Sequence, residues 1–259
     1  MADRRLRKGK TISSDKITEM TGLTTPKVRL AAQRIIFCAK RLPESCGQAA
    51  SEITEDAYQI INMNNSFKEY FDIISGEYRL ENQLLELSGF SKDICAKLLP
   101  YVAGKGIALS TNIPDEKLVV LVDRERFQSA LLNIVKNSVK YTKQGNRIIF
   151  KVSATKKHVK IAIRDRGAGM YEEVLEHCCE PFFTRDGGEA MGFGLTLAKY
   201  FANESGGKLR IKSEKGEGTT VELQLPLYQG DAENSSVSSY FESKQEADPE
   251  LIKIIFAGI

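Results

Sequence analysis

Asn133 and Asn137 stand four residues apart, with Lys140 three further on, in the apolar-periodic run Asn133-Ile-Val-Lys-Asn137-Ser-Val-Lys140-Tyr141-Thr142. Read as a helix, that spacing sets two amides and one ammonium on a single face. Amide oxygens are hard ligands that suit Mg²⁺, and a lysine beside them suits the phosphates such an ion bridges. Downstream, Val159-Lys-Ile161-Ala-Ile163-Arg-Asp165 alternates strictly, which predicts a strand with Asp165 on its apolar face. A carboxylate there is costly unless hydrogen-bonded, and an exocyclic amino group such as adenine's is a suitable donor. Gly167 and Gly169 follow at once and let the backbone turn close to a ligand. Glu180-Pro-Phe182-Phe183-Thr184 comes next, then Gly192-Phe-Gly194-Leu195 at the start of a predicted helix. Glycines at a helix start expose N–H groups to an anion, and the helix dipole adds to the attraction. Any one of these features is more often structural; their order along one stretch predicts a pocket for a nucleotide and its metal.

The elements that must position these residues are also legible. Phe127, Ala130, Leu131, Ile134, Val135, Ser138 and Val139 form the core face of the asparagine helix, with Asp123 as its N-cap. The asparagines lie beside that stripe, at a rim a ligand can reach. Before it, Leu84–Leu87 reads as an edge strand, Phe90–Val102 as a helix, and 106–110 and 118–122 as strands. Arg147–Val152 pairs with Val159–Ile163, leaving His158 toward solvent. Tyr171–Met191 mixes charge, glycine and apolar anchors, the composition of a segment that closes over a ligand. Arg185 and Lys199 are further candidates for phosphate contact. The helix Leu195–Glu204 ends at Gly206-Gly207, and a hairpin follows around Gly216-Glu-Gly218.

The N-terminal third is different. Val28, Ala31, Ile35, Ala39 and Leu42 recur at helical spacing until Pro43 and Gly47 break the pattern. Ile53, Ala57, Ile60, Asn64, Phe67, Phe71 and Ile74 then form a heptad seam. Asn64 either sits in that seam, fixing its register, or lies at the edge of the stripe. Two antiparallel helices cannot bury both faces alone, so the hairpin is expected to dimerise into a four-helix bundle. At the other end, residues 229–250 are Ser- and acid-rich and read as a flexible tail, whereas Leu251-Ile-Lys-Ile-Ile-Phe256 is apolar and docks either on its own domain or on a partner.

Composition narrows the classes. The chain has 259 residues and a formal net charge of +3, so bulk charge argues for neither nucleic acid nor membrane. Arg4, Arg5, Arg7, Lys8 and Lys10 read as a solvated terminus or, less favoured, a phosphate-binding arm. Five cysteines without regular spacing read as reduced thiols, and no His/Cys partner stands near Cys178-Cys179 at zinc spacing. No apolar run has a membrane span's length, and the N-terminus lacks a signal-peptide pattern, so a cytoplasmic location is expected.

The four stretches resemble the N, G1, F and G2 boxes of sensor histidine kinases, within the gyrase, heat-shock-protein, kinase and mismatch-repair ATPase superfamily. The likeness covers about Leu84 to Leu227. It implies an α+β fold: a two-layer sandwich of mixed sheet with helices on one face, preceded by a helical hairpin. It implies a division into residues 1–78 (dimerisation and phosphotransfer-like), 79–228 (ATP-binding) and 229–259 (tail). It also implies ATP and Mg²⁺, with Asn133, Asn137 and Lys140 catalytic and Asn137 at the metal. Asp165 would meet the adenine amino group and Tyr141 stack on the ring. Gly167, Gly169, Phe182, Phe183, Gly192, Gly194 and Leu195 would shape the pocket, and Thr219 would reach back toward it. The chemistry implied is γ-phosphoryl transfer, mostly by positioning and electrostatics.

One departure matters. Such kinases carry His-Glu-x-x-Thr-Pro on the first hairpin helix; here the stretch is Thr21-Gly22-Leu23-Thr24-Thr25-Pro26, with Thr21 in place of the phosphoacceptor. The two histidines, His158 and His177, lie elsewhere, and a threonine with no base beside it is a poor nucleophile. Thr25 matches the position that orients water for dephosphorylating a partner. Expected partners are a response regulator, a partner histidine kinase and a second copy of this chain. Three readings stand: a kinase acting on a histidine in trans, a nucleotide-gated pseudokinase, adaptor or phosphatase, and an anti-sigma-type serine kinase, which the long hairpin disfavours. The chain is expected to be either a soluble member or a cytoplasmic piece of a longer sensor.

Overall fold

The computed structural model describes residues 14–184, 192–230 and 246–257, and in the first helix the side chains from Thr24 onward. The chain divides into two compact units, Met1–Arg79 and Leu80–Ile259.

The first unit is an α-hairpin. Helix α1 (Ser14–Ala39) and helix α2 (Gly47–Ile74) are joined across Pro43 by one 3-10 turn, Glu44–Cys46. Ala32, Ile36 and Ala39 pack with Ala57, Tyr58 and Ile61, small residues letting the backbones approach. The seam read from the sequence is mostly the other face: Val28 and Ile35 on α1, Leu42 just past its end, and Ile53, Ile60 and Ile74 on α2, are each at least 38% exposed. Asn64 is half-buried and donates from Nδ2 to the Thr25 carbonyl at 3.0 Å, which fixes the register of α2 on α1 inside the hairpin.

The second unit is a two-layer sandwich. Its five-stranded sheet has the order β2-β4-β5-β7-β6, with β2 (Ala108–Asn112), β4 (Arg147–Ala154), β5 (His158–Asp165), β6 (Lys208–Glu214) and β7 (Gly218–Pro226). Only β2–β4 is parallel, so the sheet is mixed. A separate ribbon pairs β1 (Gln83–Glu86) with β3 (Val119–Val122). Period-two burial fixes the faces: Ile148, Phe150, Val152, Val159, Ile161, Ile163, Val221, Leu223 and Leu225 point to the helices. Lys151, Lys160, Arg164, Arg210 and Lys212 occupy the open face, where Lys160 pairs with Glu222 at 3.4 Å.

Helices α3 (Leu87–Gly104), α4 (Arg124–Tyr141) and α6 (Gly194–Glu204) cover the apolar face, and Phe90, Phe127 and Phe201 make a chain of ring contacts across them. Asp123 caps α4 by accepting from Arg126 N at 3.0 Å, and its other oxygen accepts from Glu81 N. Residues 231–245 of the segment read as a tail lie outside the described residues. The apolar end forms a helix, α7 (Pro249–Phe256), lying against α3 and α4 of its own unit. It buries Ile252, Ile254, Ile255 and Phe256, the last 5.4 Å from the Tyr101 ring. Among the described residues, no helix is long and apolar enough to cross a membrane.

Candidate functional site

Helix α4 carries the amides and touches two glycine turns. Near its middle, Asn133 is half-buried, and a methyl added to Gly194 would meet Asn133 Oδ1 at 3.2 Å, so Gly194 passes close over that amide. At its end the Tyr141 carbonyl accepts from Ala168 N at 3.1 Å, and a Cβ on Gly167 would sit 2.5 Å from the same oxygen. Only glycine fits there. Eight residues of helix, about 12 Å, therefore separate the contact with Gly194 from the contact with Gly167. Asn137 lies between them, half-buried, one turn from each asparagine-face neighbour. Lys140 is exposed, its ammonium 5.2 Å from the centroid of the half-buried Tyr141 ring.

Asp165 ends β5 on the helix side, 4% exposed. Its Oδ1 accepts from Gly167 N at 2.9 Å and Thr219 N at 3.0 Å, and the Ser138 hydroxyl of α4 bonds the same carboxyl. Burial pushes its pKa above the ordinary 3.8, while the two amides and Ser138 pull the other way. These three hydrogen bonds offset part of the cost of placing a carboxylate on an apolar strand face, and burial outweighs them. Ser138 escaped sequence reasoning as a binding-region residue because it falls inside the apolar stripe of α4. A hydroxyl in such a stripe was the available signal.

The turn after β5 is locked from below. Gly169 has φ 57°, and a Cβ there would run into the Glu214 carbonyl, so any side chain is excluded. Ser213 binds this turn to the β6–β7 hairpin: its Oγ accepts from Met170 N at 2.9 Å, donates to Gly218 O at 3.0 Å and lies 2.8 Å from Thr219 Oγ1. Thr219 therefore reaches Asp165 through its backbone amide, with its hydroxyl engaged by Ser213.

The segment after α5 (Glu172–His177) brings the aromatic pair to the same side. Phe182 is 58% exposed, has φ 65°, and sets its ring 4.8 Å edge-on to the buried Phe193. Phe183 is half-buried, 6.1 Å from the His177 ring. Gly192 has φ 73°, and a Cβ on it would lie 2.5 Å from the Phe183 carbonyl. Leu195 packs on the core from the first turn of α6. That helix begins at Phe193-Gly194 with no side-chain cap on its first N–H groups. Uncapped N–H groups at a helix start are donors for an anion. Arg185 lies outside the described residues, and Thr21 lies in α1 with its side chain undescribed. Thr25 is on α1, half-buried.

Known proteins resemble this chain in sequence and in fold. The histidine kinase-, DNA gyrase B-, and HSP90-like ATPase profile matches residues 122–229. Histidine protein kinase DivJ of Caulobacter vibrioides is 32% identical over 126 residues, 47% of this chain and 21% of DivJ. Adaptive-response sensory kinase SasA of Parasynechococcus marenigrum is 29% identical over 154 residues, 57% of this chain and 40% of SasA. The chain thus spans less than half the length of either relative. Among solved structures, full-length ShkA in complex with AMPPNP superposes with a TM-score of 0.69 at 19% identity, covering 82% of this chain and 46% of ShkA. The nucleotide-free catalytic domain of ThkA gives 0.52 at 22% identity, covering 56% of this chain and 97% of that domain. Fold, box order and sequence likeness agree: residues 122–229 are a histidine kinase-, DNA gyrase B-, and HSP90-like ATPase domain, and the chain is similar to sensor histidine kinases.

Proposed function

We propose that the domain binds Mg-ATP along α4 and transfers its γ-phosphoryl group to a histidine of another protein, from which it passes to a response regulator. The observation that carries this reading is the convergence on α4: Gly194 over Asn133, the Gly167 turn on the Tyr141 carbonyl, and Asp165 between Ser138 and Thr219. Adenine sits at Asp165 and Tyr141, with the phosphates toward Lys140 and the uncapped start of α6. The amide oxygens of Asn137 and Asn133 hold Mg²⁺, which supplies charge neutralisation at the transferred group. Gly192, Phe182, Phe183 and Leu195 shape the phosphate end of the pocket. The AMPPNP bound by ShkA supports the choice of nucleotide.

Transfer in trans follows from the hairpin, which holds Thr21 where the family's acceptor stands and has no histidine. The hairpin dimerises with a second copy: Val28, Ile35 and Leu42, like Ile53 and Ile60, are exposed seven residues apart, a heptad stripe on the face away from the contact between α1 and α2. The same missing histidine favours a second reading, an adaptor or phosphatase that uses Thr25 on a regulator's phosphoryl group.

Incubation with γ-labelled ATP, alone and with candidate histidine-bearing hairpins and regulators, separates the readings. Acid-labile, alkali-stable label on an added hairpin supports trans transfer. Acid-stable label on this chain points instead to a serine or threonine kinase. ATP binding with no label anywhere, together with loss of label from a phosphorylated regulator, leaves the adaptor or phosphatase. Should Asn137→Ala bind ATP equally well with magnesium present, the metal assignment fails.

A further inference from the structure

The described chain brings two nucleophilic side chains together at one place outside this pocket. Cys178 and Cys179 close α5 at the turn into Glu180-Pro181-Phe182; both are free and half-buried. The two side chains neighbour each other, and Cys178 Sγ donates its one proton to the Leu175 carbonyl at 3.1 Å. Lys199 of α6 adds positive charge beside them. The pair is asymmetric. The neighbouring Cys178 sulfur and then the charge of Lys199 draw Cys179 below an ordinary thiol, whereas the Cys179 contact and burial push Cys178 up. A thiolate-prone sulfur beside a neutral thiol is the arrangement of an attacking and a resolving cysteine.

The backbone of Cys179 is tied to the pocket. Thr196 Oγ1 donates to the Cys179 carbonyl at 3.0 Å and lies 3.3 Å from the Gly192 carbonyl. Thr196 stands two residues past Gly194, the glycine that faces Asn133. The peptide that follows Cys179 therefore shares one hydroxyl, Thr196 Oγ1, with the glycine turn.

We propose that Cys178 and Cys179 form a thiol–disulfide site, oxidised by hydroperoxides, that lowers nucleotide affinity through the link from Cys179 to Thr196. The regulatory half rests on the nucleotide reading above; the thiol chemistry does not. The Cys179 thiolate attacks one peroxide oxygen, the O–O bond breaks, and Cys179 becomes a sulfenic acid as hydroxide or alkoxide leaves. The Cys178 sulfur then attacks Cys179: the S–S bond forms, the S–O bond breaks, and water departs with the Cys178 proton. The two sulfurs supply the two electrons that reduce the peroxide. Adjacent Cα atoms lie about 3.8 Å apart, short of the roughly 4.4–6.8 Å that a disulfide usually bridges, so closure twists the shared peptide and leaves an easily reduced bond. Carried through Cys179 into the next peptide, the twist turns the Cys179 carbonyl away from Thr196.

The test treats the reduced full chain with hydrogen peroxide, maps the products by mass and measures ATP affinity by calorimetry with magnesium. The peptide holding Cys178 and Cys179 should lose two hydrogen masses, ATP affinity should fall about fivefold or more, and dithiothreitol should restore both. Cys178→Ser should bind ATP as the parent does, resist the effect, and trap a dimedone adduct on Cys179. No bond between the two sulfurs, or a disulfide involving another cysteine instead, overturns the site. A disulfide with unchanged ATP affinity overturns the regulation. If the reduced chain binds no ATP, the nucleotide reading falls, while the mass measurement still decides the thiol chemistry.

Discussion

Gln128 grips the backbone of Asp248 at both ends: its Nε2 donates to the Asp248 carbonyl at 2.7 Å, and its Oε1 accepts from Asp248 N at 2.8 Å. Gln128 is itself buried in α4, so this amide fastens the start of α7 to the helix that carries Asn133 and Asn137. Lys136 fastens the other end, donating to the Ala257 carbonyl at 3.1 Å.

Gln128→Ala should therefore destabilise the protein by about 1–3 kcal/mol, by unpairing two backbone groups at once. Urea unfolding measures it. Faster proteolysis between α7 and the rest should accompany the loss. An unchanged midpoint would mean that α7 is held by its apolar face alone.

Asp165→Asn tests the buried carboxylate. Its raised pKa means the folded protein holds that proton more tightly than the unfolded chain does. The linked stability is full below pH 3.8 and is lost as pH rises through the higher folded value. The variant should lack this decline, giving a flatter stability profile just above pH 4, and should bind ATP roughly tenfold or more weakly. Denaturant melts across that range, with calorimetry at neutral pH, read both.

Gly167→Ala places a methyl 2.5 Å from the Tyr141 carbonyl and 2.8 Å from Asp165 Oδ1. Backbone does not yield as a flexible side chain does, so a cost of about 1–3 kcal/mol and loss of ATP binding are expected. Gly104→Ala, where nothing lies within 4 Å, is the control and should leave both nearly unchanged. Equal effects at the two sites would refute the close-approach argument.

Ile35→Glu and Ile60→Glu put charge into the exposed heptad stripe of the hairpin. Each is about 40% exposed, so the single chain should stay folded while the dimer dissociates. Sedimentation with circular dichroism follows both properties. A dimer that persists in the double variant excludes this stripe as the interface.

Much of the catalytic unit was legible in the sequence because its signals are local. Alternation in β4 and β5, the Asp123 cap and the four-residue step between Asn133 and Asn137 each need only neighbours along the chain. The misses are tertiary. Burial of Gln128 is set by α7, which lies more than a hundred residues away and reads in sequence as a short apolar run of no defined period. Ser138 looked like core because its partner, Asp165, reaches it only once β5 lies beneath α4. In the hairpin, two apolar stripes run along each helix, and the small residues Ala32, Ala39 and Ala57 decide which one turns inward. Asn64, left between seam and edge, finds its acceptor on the other helix of the same hairpin.

Phe182 is the one non-glycine residue with positive φ among those described. Such a backbone costs about 1–2 kcal/mol for an L-residue, which a glycine would escape. The cost is borne where an aromatic ring meets Phe193 edge-on, next to the Phe183 backbone against which Gly192 is set. A glycine in place of Phe182 would escape the backbone cost and forfeit the ring contact, so the position trades main-chain comfort for an aromatic surface beside the start of α6.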